Sequence, residues 1–160
     1  MTAEPAAMSM AAPRAYRGIV WGGLIAGAMD ITAAAIQTAL RGRSPVSMLQ
    51  GIASGILGPR SFEGGYPSAA FGLAVHFLIA YTACAVFFLA SRRLTFMVDS
   101  AVIFGPIYGV LVYGFMYFIV LPITFPGKLK YTMAQVCIAV VVHIVCVGLP
   151  IALTVRSYSK

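Results

Sequence analysis

The chain has 160 residues, of which 61% are hydrophobic and 9% are charged. A soluble domain has about 25% charged residues, so this composition excludes an ordinary water-exposed surface and favours a membrane protein. The formal net charge of +7 does not indicate a nucleic-acid partner, because the basic residues lie at the ends of apolar segments, where cations contact lipid headgroups.

Four segments of the chain are long and apolar enough to cross a bilayer. A spanning helix needs about 20 residues, because roughly 30 Å of hydrocarbon is crossed at about 1.5 Å per residue. The apolar runs are continuous, which favours helices over barrel strands of alternating polarity. We therefore predict an all-α membrane protein in which residues 18–156 form one four-helix bundle. The predicted spans are residues 18–40, 68–90, 100–121 and 132–155, between a mobile N-terminal tail of residues 1–17 and a C-terminal tail of residues 157–160.

A short helix is predicted over residues 46–58, between the first and second spans. Its apolar residues recur at helical spacing between a Ser-Pro start at residue 44 and a Gly-Pro stop at residue 58. Such a helix is too short to span, so it lies in the interface or enters the bilayer as a re-entrant segment. Gly51 and Gly55 would permit close backbone approach in the second case.

Each span has one face of small or polar residues at spacings of three and four. Small residues allow helices in a membrane to pack closely. The predicted packing positions are Gly23, Gly27, Gly72, Gly105 and Gly109, together with Gly51 and Gly55 of the connector.

Four polar side chains are predicted to lie at nearly one depth, and we call Asp30, His76, Tyr113 and His143 the polar layer. Counted from the side opposite the termini, their depths are about 12 to 16 Å. A carboxylate at the centre of a span costs about 2.5 to 3.5 kcal/mol, so we expect Asp30 to be protonated or paired with a histidine.

Three interpretations of the polar layer remain open. It is a structural network that sets helix register, or a site for a proton or ligand that also includes Gln37. In the third, His76 and His143 are the axial ligands of a b-type haem. The sequence has no HExxH, GxSxG or Walker motif and no CxxC spacing, so we expect neither an enzyme nor a metal site.

Three passages resemble a group of small bacterial inner-membrane proteins with four predicted spans and no assigned activity. They are GLIAGAMDITAA from Gly23, LQGIASGILGPRSFEGG from Leu49 and GLAVHFLIAY from Gly72, so the resemblance covers roughly the first two spans and their connector. It implies the bacterial cytoplasmic membrane, and it marks Asp30, the turn from Gly55 to Gly58, and His76 as distinctive positions.

The basic residues near the span ends indicate the orientation of the chain. Six of them lie on the side of the termini and five on the other side, which favours both termini in the cytoplasm. The six are Arg14, Arg17, Arg92, Arg93, Arg156 and Lys160, and the five are Arg41, Arg43, Arg60, Lys128 and Lys130.

We predict a non-enzymatic protein that acts by association in the bilayer, with itself or as an accessory subunit of a larger complex of integral membrane proteins. The many small-residue pairs and the near absence of a soluble part support this prediction. The alternative is a small proton- or cation-coupled transporter or channel that uses Asp30 and His76. A second alternative is a haem protein that uses His76 and His143.

Overall fold

The predicted fold class is confirmed in a computed structural model, which describes residues 6–125 and 132–159, with side chains from residue 16 onward. All regular structure in these residues is helical. Four of the described helices are long and apolar enough to cross a membrane, and a shorter apolar helix lies between the first two. The spans are Tyr16–Leu40 (span 1), Gly65–Arg93 (span 2), Ala101–Thr124 (span 3) and Met133–Ser159 (span 4).

The helices extend beyond several predicted boundaries. Helix α1 covers Ala6–Leu40, so the predicted N-terminal tail is helical from Ala6 onward, in agreement with the high helix propensity of its alanines. Span 4 continues to Ser159, into the predicted C-terminal tail. Lys128, Lys130 and Lys160, which contribute to the predicted orientation, lie outside the described residues.

The connector is a capped helix, α2, at Pro45–Leu57. The Ser44 side chain accepts a hydrogen bond from the Val46 amide at 3.2 Å, and proline suits the first helical position because it lacks an amide hydrogen. The helix ends at Gly58, whose φ of 68° favours glycine. A 3₁₀ turn at Pro59–Phe62 then leads to α3, Gly65–Arg93, and to the short α4, Phe96–Asp99.

Spans 3 and 4 are each interrupted by a π-helical segment. Span 3 consists of α5 (Ala101–Phe115), a π segment (Met116–Val120) and α6 (Leu121–Thr124); span 4 consists of α7 (Met133–Val142), a π segment (His143–Gly148) and α8 (Leu149–Ser159). Each π segment ends two residues before a proline, Pro122 or Pro150. Proline has no amide hydrogen and its ring clashes with the carbonyl four residues earlier, and a widened turn relieves both problems.

The spans pack in the order 2, 1, 4, 3. Gly18, near the start of span 1, lies beside Val155 and Tyr158, near the end of span 4, so both of these ends are on one side of the bundle. Span 3 reaches span 2 through Tyr108, whose hydroxyl donates to the Ala83 carbonyl at 2.7 Å.

The half of the bundle nearest the termini is tightly packed and apolar. Its buried cluster consists of Ala26, Cys84, Phe87, Phe88, Val98, Ala101, Val147, Ile151, Ala152 and Val155. Burial of this cluster closes the bundle on that side, since protein interiors pack too densely to leave a water path through such a layer.

Glycines set the distances between the spans. A methyl group at Gly109 would lie 2.5 Å from the His143 carbonyl oxygen, and one at Gly105 would lie 3.1 Å from the Leu149 Cα. Gly23 and Gly27 face aromatic rings of span 2. These predicted packing positions therefore contact helices of the same chain.

The connector uses its glycines differently from the prediction. A methyl group at Gly51 would meet nothing within 4 Å, so Gly51 allows no close approach in the described structure. The close contact is instead made by the Leu49 carbonyl against Gly72 of span 2. Gly55 faces the Thr124 methyl, where an added Cβ would lie 2.7 Å away. The connector thus packs against the ends of spans 2 and 3.

Candidate functional site

A cavity of about 230 Å³, which we call the Asp30 cavity, lies between spans 1, 3 and 4. Its apolar wall is formed by Ala34, Met48, Ala139 and Val142. Its polar residues are Asp30, Gln37, Thr38, Arg41, Tyr117 and His143. The structure therefore brings three predicted site residues together, namely Asp30, Gln37 and His143.

The Asp30 cavity extends from Asp30 to Arg41, towards the end of span 1 that lies opposite the termini. Arg41, which is exposed and follows the last residue of α1, lines its outer end. Asp30 lies about 16 Å further along the helix axis, roughly half of a 30 Å hydrocarbon layer. One turn deeper, Ala26 and Val147 belong to the buried apolar cluster. This cluster therefore separates the cavity from the side of the termini.

Asp30 carries the only acidic side chain within the four described spans. It is half-buried, and no Lys, Arg or His of the described residues forms an ion pair with it. A carboxylate in a membrane needs a proton, a cation or polar groups to offset the loss of water. The carboxylate is thus available to a positively charged ligand.

His143 presents a defined tautomer to the cavity. Its Nδ1 lies 2.8 Å from the Ala139 carbonyl oxygen, and because a carbonyl only accepts, Nδ1 carries the hydrogen. The Nε2 of the neutral ring is then an acceptor that can take up a proton. Tyr113, which is buried, packs edge-on against the ring with centroids 5.6 Å apart and holds it in place.

The two π-helical segments lie beside the cavity. His143 is the first residue of one, and Tyr117 is the second residue of the other. Such widened turns occur frequently at functional sites because they change the direction of side chains on an otherwise regular helix. They are an indication of function that is independent of the polar lining.

His76 does not line the Asp30 cavity. Its Nε2 lies 2.9 Å from the Gly27 carbonyl oxygen, to which it donates a hydrogen bond that joins spans 1 and 2. The predicted polar layer is therefore divided: Asp30 and His143 meet at the cavity, Tyr113 supports His143, and His76 lies at another interface of span 1.

The two predicted haem ligands, His76 and His143, therefore lie at different interfaces of the described structure. Only His143 lines the cavity, whose volume of about 230 Å³ is below the roughly 300–1,000 Å³ typical of cofactor pockets. Among the described residues, no three His, Cys, Asp or Glu side chains are grouped so that they could hold a metal ion.

The structure contains a buried hydrogen-bond network at the connector that the sequence analysis did not predict. Gln50 Nε2 donates to the Gly65 carbonyl at 3.0 Å, and Ser61 Oγ donates to the Gln50 carbonyl at 3.0 Å. Ser68 Oγ lies within hydrogen-bond distance of the carbonyl oxygens of Ser61 and Gly65, between which its single hydrogen is shared. The sequence feature that could have revealed this network is the presence of single polar residues within otherwise apolar helical turns. The network fixes the connector, which contributes Met48 to the cavity.

Comparisons of the chain with protein families, curated proteins and solved structures found no match. The resemblance to small bacterial inner-membrane proteins therefore stays a prediction.

Proposed function

We propose that this multi-pass membrane protein binds a cation, either a proton or a small positively charged solute, in the Asp30 cavity as one step of transport. The observation that supports this proposal most directly is the half-buried Asp30 carboxylate without an ion pair, at the inner end of a cavity that reaches the surface. His143 replaces His76 as the histidine of the proposed site.

The closed end of the cavity favours a transporter over an open channel. An ion that reaches Asp30 meets the apolar layer containing Ala26 and Val147, which offers no polar groups to replace the hydration shell. Passage therefore requires a second conformation in which this layer separates, as in alternating access.

Replacing Asp30 separates this proposal from a purely structural role. If Asp30 serves a cation, Asp30→Asn removes an unpaired charge and should raise thermal stability while abolishing uptake. If Asp30 sets helix register, the same change should lower stability. Asp99→Asn is the matched control, because it makes the same substitution at an exposed residue outside the cavity.

The experiment uses purified protein in liposomes with an imposed proton or cation gradient, in which a pH-sensitive dye reports proton uptake and a radiolabelled organic ammonium ion reports uptake of a charged solute. We expect uptake by the wild type and by Asp99→Asn, and only background uptake by Asp30→Asn. Equal uptake by all three proteins would contradict the proposal.

The sidedness of the cavity is tested by cysteine accessibility, in a background without the native cysteines. A membrane-impermeant thiol reagent should modify Ala34→Cys, at the cavity wall, only from the side opposite the termini. Ala152→Cys, whose position is fully buried, should react from neither side. Modification of Ala34→Cys from the side of the termini would contradict the proposed access.

Association with other membrane proteins stays a prediction, and the packing glycines support it less than the sequence pattern suggested. The glycines at positions 23, 27, 105 and 109 contact helices of their own chain, so they do not indicate a partner. Mass measurement in mild detergent tests association, and a lone monomer without a co-purifying partner would contradict it.

We also propose that the protein lies in the bacterial cytoplasmic membrane with both termini in the cytoplasm. The resemblance supports the first and the balance of basic residues supports the second. In this orientation the Asp30 cavity opens away from the cytoplasm.

A further inference from the structure

We infer that the ligand of the Asp30 cavity is a small organic ammonium ion, and that protonation of His143 releases it. This inference rests on the proposed cation binding and specifies both the chemical class of the ligand and its regulation by pH.

The lining matches an ammonium ion with an attached hydrocarbon group. Asp30 supplies the negative charge, and Tyr117 lines the same cavity. Aromatic rings attract organic cations through their negative faces. Met48 and Val142 provide an apolar wall, against which the hydrocarbon part of such a ligand is removed from water.

A bare divalent cation is a poorer match to the same lining. Ca²⁺ takes six to eight oxygen ligands, and Mg²⁺ demands nearly ideal octahedral geometry. The described residues contain no group of three His, Cys, Asp or Glu side chains that could hold a metal ion. One carboxylate and a partly apolar wall are sufficient for an ammonium ion, whose charge is spread over alkyl groups.

The volume of the cavity limits the size of the ligand. A volume of about 230 Å³ is below the roughly 300–1,000 Å³ of typical ligand pockets, which favours a small ligand such as tetramethylammonium or tetraethylammonium.

His143 provides the pH dependence. Neutral His143 donates through Nδ1 to Ala139 and carries no charge, so a cation can approach Asp30. A proton on Nε2 places a positive charge in the same cavity, which compensates Asp30 and repels the ligand. Histidine is the side chain that normally changes charge between pH 5 and 8.

The other ionisable groups near this site do not reverse that effect. From span 1, Arg41 stays positively charged and lies at the outer end of the cavity. From span 3, Tyr113 packs on the His143 ring and Tyr117 lines the cavity, and a tyrosine side chain carries no positive charge in either protonation state. Cys146 of span 4, the other group that interacts with Asp30, has no role in the proposed exchange.

The test is isothermal titration calorimetry of the purified full chain in detergent with tetraethylammonium at pH 8.0 and pH 5.5. This probe does not titrate, so any pH effect belongs to the protein. We expect binding at pH 8.0, at least tenfold weaker binding at pH 5.5, and loss of binding in Asp30→Asn. His143→Gln should bind with little pH dependence, whereas His76→Gln, which alters the histidine outside the cavity, should behave as wild type.

The outcomes distinguish this inference from the proposed function. Binding of sodium or potassium that depends on Asp30, without binding of tetraethylammonium, overturns the ammonium class and retains the cation site. Equal affinity of the wild type at both pH values overturns the role of His143, whether or not His143→Gln folds. If no cation binds and Asp30→Asn takes up protons as the wild type does, the proposed function itself fails.

Discussion

Gly109 sets the separation of spans 3 and 4, and its replacement by alanine tests whether the cavity depends on that separation. The added Cβ would lie 2.5 Å from the His143 carbonyl oxygen and 2.7 Å from the Ile144 Cα. Both atoms belong to the backbone, so no side chain can rotate away. Relief requires the two spans to separate.

The required movement can be estimated from the contact distances. Ordinary contact of a Cβ begins at 3.4 Å, so the distance to the carbonyl oxygen must grow by about 0.9 Å from 2.5 Å. Overpacking of this kind costs about 1–3 kcal/mol, which for a chain of this size lowers Tm by roughly 2–12 °C. Because His143 belongs to the displaced segment, cation binding in the Asp30 cavity should weaken as well.

The matched control is Gly114→Ala on the same span, where an added Cβ meets nothing within 4 Å. Thermal unfolding is followed with a thiol-reactive dye, after Cys137 and Cys146 are replaced by serine so that the fully buried Cys84 reports the transition. We expect Gly114→Ala to match or exceed the wild-type Tm, because alanine favours helix over glycine. If Gly109→Ala and Gly114→Ala are equally stable, the close crossing at Gly109 does not exist in solution.

Two further substitutions test contacts outside the cavity. His76→Phe keeps a ring but removes the 2.9 Å hydrogen bond to the Gly27 carbonyl. In the same dye assay this change should lower the free energy of unfolding by about 0.6–1.7 kcal/mol and leave the cation affinity unchanged. A loss of cation affinity would place His76 in the binding site. Ser61→Ala removes a buried donor to the Gln50 carbonyl and should cost about 1–3 kcal/mol, as measured by detergent-induced unfolding. Ser47→Ala, which removes only an exposed local hydrogen bond, should stay within about 0.5 kcal/mol of wild type, and equal effects of the two serine changes would refute a structural role of the network.

The spans and the connector were predictable because their signals are local. A run of about 20 apolar residues has no other stable arrangement in a bilayer, and predicted and observed spans differ only at their ends. The connector was recognisable from Ser44 before Pro45 and from Gly58, since capping and positive φ depend on neighbouring residues.

The site was only partly predictable from the sequence, because the depth of a side chain in the membrane and the direction in which it points depend on different features. Depth follows from residue count, and Asp30 and His143 line one cavity. Direction depends on which helices are neighbours, and the order 2, 1, 4, 3 puts His76 at an interface with span 1 that the cavity does not reach. A sequence pattern at helical spacing contains no information on that order.

The π segments are a second reason why the site was only partly predictable from the sequence. Each widened turn rotates the residues that follow it relative to a regular 3.6-residue period, so a face drawn across Met116–Val120 or His143–Gly148 is not continuous. Pro122 and Pro150, which follow these segments, are the signal that marks such breaks. Tyr117, absent from the predicted site, lies within one of them.

The half of the bundle that contains the Asp30 cavity is the open half, and the half nearest the termini is the packed half. This difference affects how the membrane voltage is distributed across the bundle. Water in the open half would carry the potential of the adjacent solution to Asp30, so that most of the transmembrane voltage falls across the apolar layer of Ala26 and Val147. Moving one elementary charge through the full voltage involves about 2.3 kcal/mol per 100 mV. A cation would therefore reach Asp30 with little electrical work and do nearly all of it in crossing that thin layer. The rate of the crossing step, rather than the affinity of the site, should then respond to membrane voltage.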